Sequence, residues 1–297
     1  MKIKDKKNRV LTFAEALNEA MIQSMQIDKN VFVFGQGVDK TALVFKTTNN
    51  ILKKFGNKRI FDTPNVEQAE TSLAAGAANA GLRPILIHHR VDFMAYTFDQ
   101  LINWIALWSF KSAGNSSMPL VIRAIIGKGW GQGPQHAKTL HSTLASIPGL
   151  KVVMPSSPSE AKGLLISSIF SNDPVIFLEY RALYNTKEFV PEKPFQIDLS
   201  SPRIRNKGNK LTIVSMGSGV LSSIQAINKL KAKDKIELID LRELSSFNIE
   251  TVFKSVKKTK KLLIVEDGWN KFSVGSEIIS RTSEAGIKLN KPPIKLT

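Results

Sequence analysis

Residues Asp62–Ile85 read DTPNVEQAETSLAAGAANAGLRPI. The stretch divides into a turn, an Ala/Gly-rich helix and the start of a strand. Glu67 falls where the helix begins, and a carboxylate is favoured there by the positive end of the helix dipole. Small residues dominate from Ala69 to Ala80. Ala favours helix, whereas Gly76 costs about 1 kcal/mol relative to Ala. A chain tolerates that loss where its backbone must approach something closely. The stretch therefore reads as a helix pressed against another surface, with an acid at its start and a strand directly after it.

Working outward, the same alternation recurs. Upstream, Thr12-Phe-Ala-Glu15 is a capping box, and Ala14, Leu17, Met21 and Met25 form a helical stripe. Val31–Phe34 is a short buried strand ending in Gly35-Gln-Gly37, and a helix is predicted over Asn50–Phe55. Downstream, Arg83–His88 is a strand. Thr97–Lys111 is predicted as an amphipathic helix with Leu101, Ile102, Ile105 and Trp108 on one side, and Leu120–Ile126 is an apolar strand. A glycine-rich loop fills residues 127–136. Lys151–Met154 is a strand. Ser157-Pro-Ser-Glu160 predicts a second capping box with Pro at the first helical position, and its helix runs to about Phe170 before strand Val175–Tyr180.

Pro191, Pro194, Pro202 and Gly208 then interrupt the period, so residues 191–209 are read as a linker. The pattern restarts with strands Leu211–Ser215, Ile236–Leu241, Leu262–Glu266 and Ile294–Leu296, separated by helices Ser218–Leu230, Asn248–Lys258 and Val274–Ser283. Strands alternating with helices imply parallel sheets flanked by helices. The fold class is α/β, with two doubly wound, mostly parallel domains over residues 1–190 and 210–297. Ligands of such folds sit beyond the carboxyl ends of the strands.

A length of 297 residues suits two ordinary domains. Zero cysteines exclude disulfides, thiolate metal sites and a Cys nucleophile. No apolar run is long enough to span a membrane, and MKIKDKKNRV is followed by no signal core, so a cytoplasmic location is expected. The net charge of +17 is spread over both halves. That reads as a solvated Lys-rich surface, with nucleic acid or an acidic partner as the alternatives. No nucleic-acid motif accompanies it, and no nucleic-acid partner is expected.

Several residues invite chemistry. Gly217-Ser-Gly-Val-Leu-Ser222 follows a strand, and Asp240 ends the next one, which mimics a dinucleotide fingerprint. The third glycine is replaced by Ser222, and a plain strand-to-helix turn is the simpler reading. The loop at 127–136 is no Walker A sequence. Trp130 and His136 within it suit a mobile element closing over a site, the alternative being a flexible connector. His88 and His89 end a strand at the ligand-binding edge. His136 and His141 lie five apart, the wrong spacing for i,i+4 metal ligands on a helix. Imidazoles titrating near neutrality suit acid–base or substrate-binding roles better. Glu70 lies one turn after Glu67, close enough for the two charges to raise each other's pKa.

The segments Phe61-Asp-Thr-Pro-Asn-Val-Glu67 and Ala74–Pro84 resemble the pyrimidine-binding domain of thiamine diphosphate enzymes. The nearest likeness is to the β subunit of 2-oxo acid dehydrogenases of the pyruvate and branched-chain type. Further matches are Asp99-Gln-Leu-Ile-Asn103, Gly133-Pro-Gln-His136, Ile147–Pro155, Glu160–Leu164, Asp173-Pro-Val-Ile176 and Val265-Glu-Asp-Gly-Trp269. They are correctly ordered and span nearly the whole chain. The second domain then resembles the transketolase C-terminal domain.

The resemblance implies that Glu67 hydrogen-bonds ring nitrogen N1′ of the cofactor's aminopyrimidine, and that a 2-oxo acid is decarboxylated. It carries over His136 as a catalytic residue at the substrate end. His89 and Phe93 are implied at the pyrimidine, and His88, Arg90, Trp130 and His141 around the substrate and its loop. Ser171 and Asp173 are implied as a possible structural potassium site. The family's diphosphate signature, Gly-Asp-Gly followed by Asn-Asn, is missing. A separate α-type chain is therefore expected to hold Mg²⁺ and the diphosphate, in an α₂β₂ assembly with contacts between β chains. Lipoyl on an acyltransferase core is the leading acceptor. The alternatives are a split transketolase-like carboligase using a sugar or aldehyde acceptor, an NAD-binding dehydrogenase, and a non-catalytic basic binding module. Val66 departs from the family, which often has Ser before the glutamate, and Glu70 stands where an apolar residue is usual.

Overall fold

The computed structural model describes residues 9–39 and 43–297. Thirteen strands and ten α-helical segments alternate along them. In the first half these are β1 (Val10–Thr12), α1 (Phe13–Ile27), β2 (Val31–Gly35), α2 (Leu43–Lys46), α3 (Ile51–Phe55), β3 (Ile60–Asp62), α4 (Glu67–Asn79) and β4 (Arg83–His88). Next come α5 (Trp108–Lys111), β5 (Val121–Ile126), α6 (His141–Ala145), β6 (Lys151–Val153), α7 (Pro158–Ile169), β7 (Val175–Tyr180) and β8 (Lys187–Phe189). The remainder is β9 (Arg203–Asn206), β10 (Leu211–Ser215), α8 (Ser218–Lys229), β11 (Ile236–Asp240), α9 (Glu250–Thr259), β12 (Leu262–Val265), α10 (Val274–Glu284) and β13 (Ile294–Leu296).

The first sheet has six parallel strands in the order β3-β2-β4-β5-β7-β6. Every residue of β5 and β7 is buried, as expected where helices cover both faces of a parallel sheet. The second sheet runs β13-β12-β10-β11-β9, parallel except for β9 at its edge. A two-stranded ribbon of β1 and β8 ties the start of α1 to the end of the first domain.

Three local expectations are corrected. Thr97–Lys111 is not one amphipathic helix. A 3₁₀ stretch over Val91–Thr97 leads into a π-helical run, Gln100–Ile105, and only Trp108–Lys111 is α-helical. The wider turn, closed by Ala106 N–H to the Leu101 carbonyl at 2.9 Å, rotates successive residues off the 3.6-residue stripe. Leu101 and Ile105 are buried as expected, but Ile102 is exposed.

The capping box at Thr12 and Glu15 forms as read, while the one at Ser157 does not. Ser157 Oγ donates instead to Glu188 Oε1 at 2.6 Å, and the same oxygen accepts the Ser159 N–H at 2.7 Å. A carboxylate from β8 thus caps α7 from outside. Glu160 turns inward to Arg242, whose Nε lies 2.7 Å from its Oε2, and to Arg203. The third correction concerns the linker. Arg203–Asn206 is a strand of the second sheet, antiparallel to β11. Its charged side chains, on a strand with one unpaired edge, hide the usual alternation.

The two sheets meet at a buried polar seam. Met154 N–H donates to the Arg242 carbonyl and Leu244 N–H to the Val152 carbonyl, at 2.7 and 2.8 Å. Asp240 is fully buried beside Ser156, whose hydroxyl donates to its Oδ2. Burial pushes its carboxyl up to about 6, against the Ser156 hydrogen bond and with Glu160 adding to the rise.

An acid whose folded pKa is raised binds its proton more tightly in the native state. Stability is therefore lost as pH climbs from about 4 to about 6. Two units correspond to about 3 kcal/mol. Asp240→Asn, which retains an acceptor for Ser156, should raise stability by about 2–3 kcal/mol at neutral pH and hardly change it near pH 4. Urea unfolding at both pH values checks this, and a pH-independent difference would contradict it.

Candidate active site

The carboxyl ends of the first sheet gather the residues of interest. β2 stops at Gly35, β3 at Asp62, β4 at His88, β5 at Ile126 and β7 at Tyr180. The loops leaving these ends carry Gln36, Glu67, His89, Arg90, Phe93, Trp130, His136 and Arg181. This is the edge at which parallel α/β sheets bind ligands.

Gly35 fixes the first of these loops. Its φ is +136°, and a Cβ there would lie 2.3 Å from the Ile87 carbonyl oxygen, so only glycine lets β2 press so closely on β4. Gln36 follows, buried, with its N–H donating to that carbonyl at 3.2 Å. Its Nε2 donates to Glu67 Oε1 at 2.9 Å. Glu67 opens α4, is only partly buried, and follows exposed Val66. The carboxylate is thus oriented from one side and accessible from the other.

Glu70 is buried one turn on. Its Oε1 accepts from Thr63 Oγ1 at 2.8 Å, and its other oxygen lies 3.5 Å from His88 Nδ1. Burial raises its pKa and outweighs the hydrogen bonds that oppose it, with the nearby Glu67 charge adding a smaller push. His88 is buried against Thr71 Oγ1 at 3.2 Å, and burial lowers its pKa to about 4. It is a neutral imidazole at pH 7. The mutual effect of two adjacent carboxylates is therefore present at Glu70, but burial dominates it.

His89 stacks on Phe45, and His136 meets Phe93 edge to face with ring centroids 5.4 Å apart. His89 Nε2 and His136 Nδ1 are buried without a hydrogen-bond partner among the described residues. Burial and the charge of Arg90 lower the pKa of His89. Arg90 Nη1 donates to the His136 carbonyl at 3.1 Å, and its other terminal nitrogen contacts Gln132 Oε1. Trp130 lies against both Arg90 and Arg181.

Other expected residues lie elsewhere. His141 heads α6 and its Nε2 faces Glu266 Oε2 of the second domain at 3.2 Å. Burial acts to raise the Glu266 pKa, but hydrogen bonds from His141, Ser273 and Gly275 N–H prevail and lower it. His141 thus joins the two domains and does not line the Glu67 edge.

Ser171 and Asp173 precede β7, at the opposite edge of the sheet. The carbonyls of Ile169 and Ser171 accept from the Arg83 guanidinium at 3.0 and 2.9 Å, and Asp173 pairs with Lys151 at 2.7 Å. Two of the oxygens a potassium ion would use already face a cation, so this donor set does not fit one. No cluster of three His, Asp or Glu side chains suited to a metal occurs among the described residues.

The dinucleotide reading of the second domain is also overturned. A Cβ at Gly217 would lie 2.6 Å from Met154 Sδ and 2.9 Å from the Tyr180 ring, so the first domain covers that turn. Asp240 is sealed in the seam, out of reach of a ribose.

Gln36, Phe45 and Arg181 were not singled out by sequence reasoning. Gln36 and Arg181 directly follow the carboxyl ends of β2 and β7, which is the one signal that points to them, whereas Phe45 lies in α2 and carries no such signal. The expectation for Gly76 reverses: it is exposed, and a Cβ there would meet nothing in this chain. The outward face of α4 also exposes Leu73. No helix among the described residues is long and apolar enough to cross a membrane.

Comparison with known proteins bears on this arrangement. Residues 9–187 match the family described as transketolase, pyrimidine binding domain, and residues 201–297 match transketolase, C-terminal domain. The chain is 38% identical over 287 residues to the pyruvate dehydrogenase E1 component subunit beta of Staphylococcus epidermidis, covering 96% of this chain and 88% of that one. It is 37% identical, over the same shares, to the protein of that description from Staphylococcus aureus. A solved structure described as split gene transketolase, inactive beta4 tetramer, matches with a TM-score of 0.78 at 18% identity. It covers 96% of this chain and 88% of that one, a likeness of fold.

Proposed function

The chain belongs to the transketolase-like family that includes the β subunits of pyruvate dehydrogenase E1, and on that premise we propose that it is the β-type half of a two-chain thiamine diphosphate enzyme decarboxylating a 2-oxo acid. One observation carries the reading. Glu67 stands at the open carboxyl edge of the sheet, held by Gln36 and accessible from outside the chain.

The residues around it fit an aminopyrimidine. A carboxylate suits a ring nitrogen, two imidazole nitrogens lack partners, and Phe93 offers a flat apolar wall. Glu67 would hold a proton against N1′, with Gln36 fixing which oxygen faces the ring. His136, pinned by Phe93 and by the Arg90 contact to its carbonyl, would present Nδ1 at the substrate end. When bound, the cofactor supplies the electron sink for decarboxylation.

The diphosphate and its Mg²⁺ are assigned to an α-type partner, because this sequence lacks the diphosphate signature. The exposed face of α4, with Leu73 and uncovered Gly76, supports a second chain closing over the Glu67 edge. Two such pairs would join into α₂β₂, and a lipoyl group on an acyltransferase core is the proposed acceptor.

Purified alone, the chain should release no CO₂ from pyruvate. Mixed with a chain carrying the diphosphate signature and with thiamine diphosphate, it should do so. Turnover by the isolated chain, or a stable complex without turnover on any 2-oxo acid, would sink the reading.

A further inference from the structure

Two guanidinium groups at the mouth of the site have no carboxylate within ion-pair distance among the described residues. Arg90 is 5% exposed and Arg181 is partly buried. The Cζ atoms of Arg90 and Arg181 lie 5.0 and 4.9 Å from the centroid of one indole, Trp130, and Arg181 lies 4.1 Å from that of Phe45. The nearest acid is Asp92, which acts on Arg90 by its charge from beyond ion-pair distance and meets Lys138 through Oδ1. Arg181 has no hydrogen-bond acceptor there either, and Arg90 uses two of its five N–H groups, on the His136 carbonyl and Gln132. Burial, and next the charge of Arg181, weaken Arg90's hold on its proton.

A protein rarely holds two like charges against one ring without something to neutralise them. Planar guanidinium forks match carboxylate and phosphate oxygens, and aromatic stacking fixes such forks in place beforehand. Arg90 also touches the carbonyl of His136, the residue assigned above to the substrate end.

We propose that Arg90 and Arg181, aligned on Trp130, form an oxyanion subsite that binds an anionic group of the substrate. The group is either the carboxylate of the 2-oxo acid or a phosphate ester on the donor or acceptor. This rests on the functional reading above. It adds that the site selects charged over neutral substrates.

Trp130 reports on the subsite directly. Pyruvate and inorganic phosphate are titrated separately into the full chain, with tryptophan fluorescence as the readout. One of them should give a saturable change that disappears in Trp130→Phe and weakens about 10- to 100-fold in Arg181→Gln. A response to pyruvate alone identifies the carboxylate as the bound group, and a response to phosphate identifies a phosphate ester. In the assembled enzyme, Arg181→Gln should lower kcat/KM for the anionic substrate by a similar factor, chiefly through KM. Arg181→Lys, which keeps charge but loses the fork, should fall between the parent and Arg181→Gln. A flat titration with both probes overturns the subsite, as does an unchanged KM in Arg181→Gln. Because the titration needs neither partner nor cofactor, its failure is distinct from an assembled enzyme that never turns over, which would reject the functional reading instead.

Discussion

Glu67→Gln should lower kcat of the assembled enzyme by about 10²- to 10⁴-fold, the usual worth of a positioned acid–base group, while folding, partner binding and cofactor binding persist. The substitution keeps side-chain volume and retains a carbonyl oxygen to accept from Gln36 Nε2. What it removes is the ability to hold a proton against a ring nitrogen and to bear the matching charge. The partly buried position at the start of α4 makes a folding defect an unconvincing explanation for lost turnover. The measurement pairs single-turnover decarboxylation with cofactor titration and circular dichroism on the same preparation. Turnover within a few-fold of the parent would remove Glu67 from the chemistry. Lost cofactor binding with otherwise normal chemistry would reassign it to anchoring.

The strands were legible because a parallel sheet buried on both faces writes itself as short apolar runs. Val31–Phe34, observed as Val31–Gly35, and Val175–Tyr180 read directly for that reason. Local hydrogen bonding was legible where both partners lie within one turn, as at Thr12 and Glu15. It failed where a distant group intervened. The external cap on Ser157 comes from Glu188, and the partner of His141 is Glu266, 125 residues away. The π-helical run at Gln100 escaped notice because an inserted residue shifts a period without leaving a compositional mark.

At the site, sequence indicates which residues lie at or beyond a strand's carboxyl end, and Glu67, His88 and His89 do lie at the carboxyl edge of the first sheet. It does not reveal which loops converge. Gln36 reaches Glu67 across 31 residues, and Arg181 and Arg90 meet Trp130 from separate strands. Gly76 shows the reverse difficulty. A close approach was inferred from its place in an Ala-rich helix, yet a Cβ built there meets nothing within 4 Å, so the glycine alone did not reveal what surrounds it.

The largest effect on stability is expected at Arg123, which sits fully buried in the middle of β5. Its Nη2 donates to Glu179 Oε2 at 2.8 Å and its Nε also pairs with that carboxylate. Tyr184 Oη donates to the same Oε2 at 2.7 Å, and Arg123 Nη1 lies 3.0 Å from Met21 Sδ. Despite burial, which acts to lower it, the Glu179 charge raises the Arg123 pKa, so the guanidinium keeps its proton.

Arg123→Met leaves Glu179 as an uncompensated charge in the core, and breaking such a pair costs about 3–5 kcal/mol. The double variant Arg123→Met/Glu179→Met removes both charges and leaves only the Tyr184 hydroxyl without its acceptor, a loss of about 1–3 kcal/mol. It should therefore unfold at a higher denaturant concentration than Arg123→Met alone. Urea midpoints for the parent and both variants decide the matter. A double variant less stable than Arg123→Met would mean that the ion pair itself, rather than the avoidance of a lone buried charge, stabilises this sheet.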